Sequence, residues 1–249
     1  MRSAEGTELN IRTRTIDYRD GEQQLQGFLC VDADASGRLP GVLIAHTWRG
    51  RSEYEENKAR KLAALGYAGF ALDLFGKGVL GTSPEQNRVL MQPFMDDRLL
   101  LQRRMQLALE EIRAQDEVDE TRVAAIGFCF GGLCVLDLAR SGADINGVAS
   151  FHGLLTPPPV ADRKRILSKV LVMHGWDDPM ATPEQLVALG QELTRMRADW
   201  QIHAYGNAMH AFTNPLADNP DFGTVYQADA DRRSWASMKA FLAEVLHMS

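Results

Sequence analysis

Cys129 lies in a sequence frame that could make a cysteine nucleophilic. The segment Gly127-Phe128-Cys129-Phe130-Gly131 follows an apolar run and opens into a helical pattern, which is the arrangement of a nucleophile elbow with sulfur in place of the usual hydroxyl. Glycines flank such a residue because a side chain there would collide with the neighbouring strand or helix. The position at a helix N-terminus favours thiolate over thiol. The alternative is that Cys129 is a small packing residue at a strand end, as most unpaired cysteines are.

One histidine and one aspartate occupy the loops that such a thiol requires. A nucleophile of this kind needs a base to take its proton and an acid residue to orient the base, in the chain order nucleophile, acid, histidine. The loop after the predicted strand at residues 169–173 contains Asp177 and Asp178, and Asp178 is favoured because the proline that follows it stiffens the turn. His210 lies in the last loop before the final helix. The order predicts a Cys129, Asp178 and His210 triad, with Asp177 as the alternative acid.

The remaining histidines fit the role of the base less well. His46 and His174 end predicted strands on the same face of the sheet and are second-rank candidates, whereas His152 follows a strand but precedes the acid residue. His203 lies within a strand and His247 near the C-terminus. No pair of histidines or cysteines has the spacing of a zinc site, so we expect neither a metal nor another cofactor.

Two backbone amides are predicted to form the oxyanion hole. Enzymes with an elbow nucleophile use the N–H of the residue after the nucleophile and one from the loop after the third strand. These positions are Phe130 and the loop at residues 46–50, in which Trp48 is the favoured donor.

The elements around these residues alternate between strands and helices, which predicts an α/β fold with a mostly parallel sheet and helices on both faces. Two partly alternating runs at residues 12–18 and 25–31, separated by Asp20-Gly21, predict an antiparallel hairpin at one edge. Residues 76–93 are predicted to be an irregular connection. We expect a flexible lead at residues 1–11 and a single domain at residues 12–249. Further strands are predicted at residues 41–45, 67–72, 123–128, 146–151 and 200–205, and helices at 55–65, 97–114, after Cys129, after Thr182-Pro183 and at the C-terminus.

The composition is that of an ordinary globular protein and excludes several classes of function. Hydrophobic residues make up 45% and charged residues 24% of the 249 residues, which argues against disorder. A net charge of -6 without a dense cluster of basic residues argues against nucleic acid binding. No stretch has the length of a membrane span, and residues 1–10 lack the apolar centre of a signal peptide. The odd number of cysteines (Cys30, Cys129 and Cys134) fits a reducing compartment, so a cytoplasmic location is expected; no feature indicates an oligomeric state.

Several motifs together resemble the dienelactone hydrolase (carboxymethylenebutenolidase) family of the α/β-hydrolase superfamily. The similarity extends from Arg12 to Met248, and it implies an α/β-hydrolase fold with Cys129, Asp178 and His210 as the triad. The motifs are the elbow at residues 127–132, His174-Gly-x-x-Asp178-Pro179, His210-Ala-Phe212 and Asp73-Leu-Phe-Gly76.

Three positions depart from the pattern of the family's founding enzymes. Those enzymes hold a substrate carboxylate with two arginines, where this chain has Lys77 and Asn214, and they carry an activating glutamate where it has Thr47. An ammonium and an amide grip a carboxylate less well than two guanidinium groups. We therefore expect a neutral or less charged ester rather than dienelactone.

The resulting hypothesis is hydrolysis of small-molecule carboxylic esters or lactones through a thioester intermediate on Cys129. One alternative is a promiscuous aryl esterase and organophosphate triester hydrolase that uses the same triad. Another is a non-catalytic ligand-binding protein of this fold. A redox-sensing thiol would lack a resolving cysteine at useful spacing. An apolar substrate pocket is predicted, with core packing as the alternative for each member, from Trp48, Phe75, Phe130, Met180, Met209 and Phe212.

Overall fold

The computed structural model describes residues 10–247. The strands of the main sheet are β1 (Ile11–Asp20), β2 (Gln23–Asp32), β3 (Leu39–Ala45), β4 (Ala68–Ala71), β5 (Val118–Phe128), β6 (Gly147–Phe151), β7 (Lys169–Gly175) and β8 (Trp200–Tyr205). The helices are α1 (Glu53–Ala63), α2 (Pro84–Asp96), α3 (Arg98–Arg113), α4 (Phe130–Arg140), α5 (Pro183–Arg195) and α6 (Ala228–His247). A small ladder of β9 (Asp218–Asn219) and β10 (Thr224–Val225) precedes α6.

The strand directions confirm the predicted α/β-hydrolase architecture. The eight strands lie in the order β1-β2-β4-β3-β5-β6-β7-β8; β1, β2 and β4 pair antiparallel, and neighbours from β4 to β8 are parallel. The edge hairpin begins at Ile11, one residue before its predicted boundary. Of the predicted flexible lead, residues 1–9 lie outside the described residues, as do residues 248–249.

Helices cover both faces of the sheet and bury its apolar side chains in two cores. On one face α1 and α6 pack Leu62 and Phe241 against strand residues such as Ile126. On the other face α3, α4 and α5 contribute Leu109 and Leu133 among many others. Each fully buried Leu or Phe side chain contributes roughly 1.5–3 kcal/mol. The continuous apolar runs at residues 41–45 and 123–128 are explained by this burial on both faces.

The prediction of an irregular connection at residues 76–93 is wrong from Pro84 onward, because residues 84–96 form α2, whereas residues 76–83 contain neither helix nor strand. The start of α2 has ordinary signals, since the Ser83 side chain accepts from the Gln86 amide and Pro84 occupies the first turn. Pro93 lies inside the helix, where a proline is usually destabilising. Phe94 compensates by packing against Phe75 and Phe130, with ring centroids 5.6 and 6.2 Å away. Tertiary packing therefore outweighs the local preference.

The parallel strands end together, which collects the chemistry-bearing loops at one edge. Ala45 of β3 pairs with Gly127 of β5, which in turn pairs with Ser150 of β6. The loops after β3, β5, β7 and β8 consequently leave the sheet side by side. The carboxyl edge of an open α/β sheet is where ligands bind.

Candidate active site

Cys129 is at the apex of a strained turn between β5 and α4. Its φ of 57° lies in the left-handed region, which costs roughly 1–3 kcal/mol for a residue other than glycine. Its amide donates to the Phe151 carbonyl at 3.1 Å. A Cβ on Gly127 would lie 2.0 Å from the Gly131 carbonyl oxygen, so the first glycine of the frame is required sterically. Cys129 is half-buried at the tip of this turn.

His210 and Asp178 meet although they come from different loops. The Nδ1 atom of His210 lies 2.8 Å from Asp178 Oδ2, and both side chains are buried. The other oxygen, Oδ1, accepts from the amides of Met180 at 2.8 Å and Ala181 at 3.3 Å. Asp177, the alternative acid, is exposed. The geometry thus favours Asp178 as the partner that orients the imidazole.

The surroundings of His210 stabilise its protonated form. Burial opposes protonation, but the charge of Cys129 and the hydrogen bond to Asp178 outweigh it and raise the pKa of His210 to about 10. No described residue meets the distance and angle requirements for a hydrogen bond to the buried Nε2 atom. Cys129 is nevertheless near enough to act on this ring as a charge and a bonding partner. The imidazolium form of His210 is the state that this arrangement favours.

A hairpin that sequence reasoning missed holds the backbone of His210. The His210 amide donates to the Gly223 carbonyl at 3.0 Å, and its carbonyl accepts from Val225 at 3.1 Å. Gly223 has φ +79°, and a Cβ there would lie 2.1 Å from Pro179 Cγ. The β9–β10 hairpin therefore packs against the loop of Asp178 while it pairs with His210. The glycine at its turn is the one sequence signal that could have indicated it.

His152, which sequence reasoning ranked low, packs against the ring of His210. The two rings meet edge to face with centroids 5.2 Å apart. His152 Nε2 lies 2.7 Å from Thr213 Oγ1, which lies 2.8 Å from the Tyr54 hydroxyl. Burial, followed by the nearby charge of His210, keeps the pKa of His152 well below its ordinary value. His152 is therefore a neutral imidazole behind the His210 ring.

His46 and His174, the second-rank candidates, are committed to structural hydrogen bonds. His46 Nε2 accepts from the Leu74 amide at 3.2 Å, and its Nδ1 lies 2.6 Å from the Thr47 carbonyl. His174 Nε2 lies 2.7 Å from the Ala181 carbonyl. Each ring fastens the end of its own strand to a neighbouring loop.

The two predicted oxyanion donors lie on segments that touch each other. A Cβ on Gly131, in the first turn of α4, would lie 2.1 Å from the Ala45 carbonyl oxygen, so the end of β3 runs along the start of this helix. Neither the Phe130 amide, at the first position of α4, nor the Trp48 amide donates a hydrogen bond to another described residue. Both N–H groups remain available for an oxyanion. Their role stays a prediction.

Thr47 is anchored by a buried glutamate that sequence reasoning did not single out. The Glu55 carboxylate accepts from the Thr47 amide at 3.1 Å and from the Ser52 amide and hydroxyl at 2.9 and 2.8 Å. Ser52 and Glu55 form the capping box of α1. The glutamate thus sets the path of the loop that carries Trp48. The Ser-x-x-Glu spacing is a signal that could have predicted it.

The structure distributes the predicted substrate-binding residues unevenly. The Lys77 ammonium pairs with Asp17 of the edge hairpin at 2.6 Å, and the Asn214 side chain accepts from the Leu216 amide at 3.1 Å in its own turn. Met180 is half-buried beside Asp178. Substrate contact by any of these residues, and by Thr47, stays a prediction.

Three predicted pocket aromatics are core residues. Phe75 is buried and stacks on fully buried Phe130 with centroids 6.0 Å apart. Phe212 is fully buried, with its ring edge-on to His152 at 5.0 Å. The core alternative describes all three side chains better than an open pocket wall. Among the described residues, no group of three or more His, Cys, Asp or Glu is arranged to hold a metal ion, and no helix is long and apolar enough to cross a membrane.

The sheet order, the turn at Cys129 and the loops after β7 and β8 define an α/β-hydrolase. The model of the dienelactone hydrolase family matches residues 25–246. The chain belongs to the dienelactone hydrolase family, as its motifs indicated, and it is a hydrolase of ester or lactone bonds.

Relatives of known structure and sequence agree with this assignment. A dienelactone hydrolase-like promiscuous phosphotriesterase from metagenomic libraries is 40% identical, with a TM-score of 0.90 over 95% of this chain and 99% of that one. An uncharacterised protein of Caenorhabditis elegans is 36% identical over 147 residues, which are 58% of this chain and 93% of that protein. A probable 2-oxo-3-(5-oxofuran-2-ylidene)propanoate lactonase of Bradyrhizobium is 25% identical over 83% of this chain and 84% of its own length.

Proposed function

We propose that this protein hydrolyses neutral carboxylic esters or lactones with Cys129 as nucleophile, His210 as acid and base, and Asp178 as the residue that orients His210. The observation that carries this proposal is the 2.8 Å hydrogen bond between His210 Nδ1 and Asp178 Oδ2, with Cys129 close enough to the same ring to interact with it. The raised pKa of His210 supports an imidazolium beside Cys129 in the resting enzyme.

The reaction then has two halves. The Cys129 sulfur attacks the ester carbonyl carbon, and the amides of Phe130 and Trp48 stabilise the oxyanion. The intermediate collapses to a thioester while the His210 imidazolium gives its proton to the departing alcohol. In the second half His210 takes a proton from water, which attacks the thioester. The acid leaves, and the thiolate and imidazolium pair is restored.

The preference for an uncharged substrate is supported by the contacts of the two candidate carboxylate-binding residues. The Lys77 ammonium pairs with Asp17, and the Asn214 side chain closes its own turn. An ammonium and an amide with partners in the chain grip a substrate carboxylate less well than two guanidinium forks would. Removal of a carboxylate from water without such a partner is costly.

A second candidate activity is cleavage of organophosphate triesters at the same thiol. It is favoured by the 40% identical relative, which is described as a promiscuous phosphotriesterase. Here Cys129 would attack phosphorus and expel an aryloxide, which His210 would protonate. An aryl phosphotriester assayed beside carboxylic esters of different chain length and charge decides between the two activities.

The decisive experiment compares Cys129→Ala with wild type and with Cys30→Ala. Cys30 is a buried thiol on β2, so its variant controls for loss of a cysteine. We expect Cys129→Ala to lose ester turnover by about 10⁴-fold or more and Cys30→Ala to keep it, with an acyl adduct on Cys129 visible by mass spectrometry of the wild type. Wild-type turnover in Cys129→Ala would contradict the scheme. A fully inert wild type would favour the ligand-binding alternative.

A further inference from the structure

Trp48 and Phe222 form an aromatic pair that the proposed chemistry does not use. Their rings stack with centroids 6.0 Å apart and an interplanar angle of 24°. Trp48 is half-buried, and Phe222, at the turn between β9 and β10, is 43% exposed. The indole belongs to the loop after β3, and the phenyl ring belongs to the hairpin that follows His210. Each ring keeps part of its surface available to a ligand.

The two rings belong to segments that adjoin Cys129 and His210 respectively. On the Trp48 side, Thr47 is fastened to buried Glu55, and the preceding strand end lies against the first turn of the helix that Cys129 begins. The stack therefore joins the segment next to the nucleophile to the segment next to the base.

On the other side, the residue after Phe222 accepts the hydrogen bond from the His210 amide at 3.0 Å. The Phe222 amide donates to Asn219 Oδ1 at 3.0 Å, which closes the turn. Gly223 fits against Pro179 only because it has no side chain. The position of the phenyl ring is thus coupled to the backbone that carries the imidazole.

A partly exposed pair of near-parallel rings favours flat aromatic ligands. Aromatic rings attract one another beyond the effect of buried area, by offset stacking or edge-to-face contact. A saturated ring of the same size would bury a similar area against Trp48 and Phe222 but would lack this additional attraction. A difference in affinity between an aromatic ligand and its saturated analogue therefore measures the stacking contribution of Trp48 and Phe222.

We propose that the exposed surfaces of Trp48 and Phe222, together called the aromatic clamp, bind the aryl group of the ester substrate. Aryl-bearing esters are then preferred over their saturated analogues. The inference rests on the proposed function, because the clamp acts on the ester that Cys129 attacks. Phe222 is the specificity-determining residue of the pair, since it contributes no group to the proposed oxyanion hole, whereas Trp48 contributes its amide.

The test uses esters that differ in ring type but have leaving groups of similar basicity. Benzyl acetate and cyclohexylmethyl acetate probe the alcohol side, while ethyl phenylacetate and ethyl cyclohexylacetate probe the acyl side. In Phe222→Leu we expect the aromatic-to-saturated ratio of kcat/KM to fall about threefold to tenfold on one side, through a higher KM for the aromatic ester. Leu216→Ala, at a 90% exposed position of the same loop, is the matched control and should keep the ratio.

A binding measurement without turnover separates failure of the clamp from failure of the proposed chemistry. N-benzylacetamide should protect Cys129 from iodoacetamide better than N-cyclohexylmethylacetamide in the wild type, and this difference should disappear in Phe222→Leu. An unchanged kcat/KM ratio in folded Phe222→Leu and in the double variant with Trp48→Leu, while turnover still requires Cys129, would overturn the clamp alone. Turnover that survives Cys129→Ala would instead overturn the proposed function.

Discussion

His210 and His152 are neighbours whose pKa values are shifted in opposite directions. Their ring centroids are 5.2 Å apart and both side chains are buried, yet the pKa of His210 is raised to about 10 and that of His152 is held well below its ordinary value. Burial disfavours the charged form of both rings. The difference arises because only His210 has acidic partners, Asp178 and Cys129, while His152 faces a hydroxyl of Thr213 and the positive charges of His210 and Lys58.

One buried site can thus hold a charged histidine next to a neutral one. Nearby negative charges offset the free-energy cost of desolvating an imidazolium. A hydroxyl hydrogen-bonds to a neutral imidazole without favouring its protonation. A second imidazolium next to His210 would also be repelled by it. The neutral state of His152 therefore leaves the charge of His210 available for chemistry.

The largest effect should come from removing the charged partner of His210. In Asp178→Asn the amide can no longer stabilise the imidazolium and can favour the wrong tautomer, so we expect kcat for ester hydrolysis to fall by about 10³–10⁴-fold. The measurement is steady-state kinetics on a neutral ester, together with an NMR titration in which the His210 pKa drops.

Asp177→Asn is the matched control, because Asp177 is the exposed neighbour of Asp178. It should keep kcat within about twofold, as surface changes away from a site commonly do. Equal losses in the two variants would show that Asp178 has no special relation to His210.

The next effect concerns the neutral member of the pair. Thr213→Val removes the hydroxyl between His152 and Tyr54, which leaves two buried polar groups without their partner. We expect the free energy of unfolding to fall by about 1–3 kcal/mol, with a smaller loss of kcat than in Asp178→Asn. Urea denaturation measures the stability, and Thr15→Val on the exposed face of β1 is the control. A loss of kcat as large as in Asp178→Asn would show that the contacts of His152 matter for turnover as much as those of His210.

The smallest effect should be a change in the pH dependence of stability. Below the ordinary pKa of 6.5, His152 binds a proton in the unfolded chain but stays neutral in the fold, so its presence lowers stability as the pH falls. For His210 the sign is opposite, since between 6.5 and about 10 the fold keeps a proton that the unfolded chain releases. Its contribution therefore declines as the pH rises.

His152→Phe keeps a ring against His210 and removes only the first of these two proton linkages. Wild type should lose stability relative to this variant between pH 7 and pH 5, by at most about 1.4 kcal/mol per pH unit. Denaturation curves at several pH values measure the slope. Parallel stability curves for the two proteins would mean that His152 has the same pKa in the folded and the unfolded chain.

Local features of the chain were sufficient to predict most of the architecture. The strands at residues 41–45 and 123–128 are recognisable because burial on both faces requires continuous apolar runs, and the turn at Cys129 is recognisable because its steric demands select glycine. Chain order and loop position indicated Asp178 and His210. Each of these signals is contained within a few consecutive residues or in their order.

Other features depend on contacts between distant segments and had no local signature. Helix α2 persists past Pro93 because Phe94 reaches Phe75 and Phe130, and His152 matters only because its strand ends beside the loop of His210. The stack of Trp48 on Phe222 likewise joins two loops that are far apart in the chain.

The amino-acid sequence by itself thus determined the alternation of strands and helices, the frame around Cys129 and the family. Only the tertiary structure decided which histidine is charged, which is neutral and which aromatic rings meet. The physical reason is that periodicity and turn sterics act along the chain, whereas desolvation, charge and ring stacking act through space.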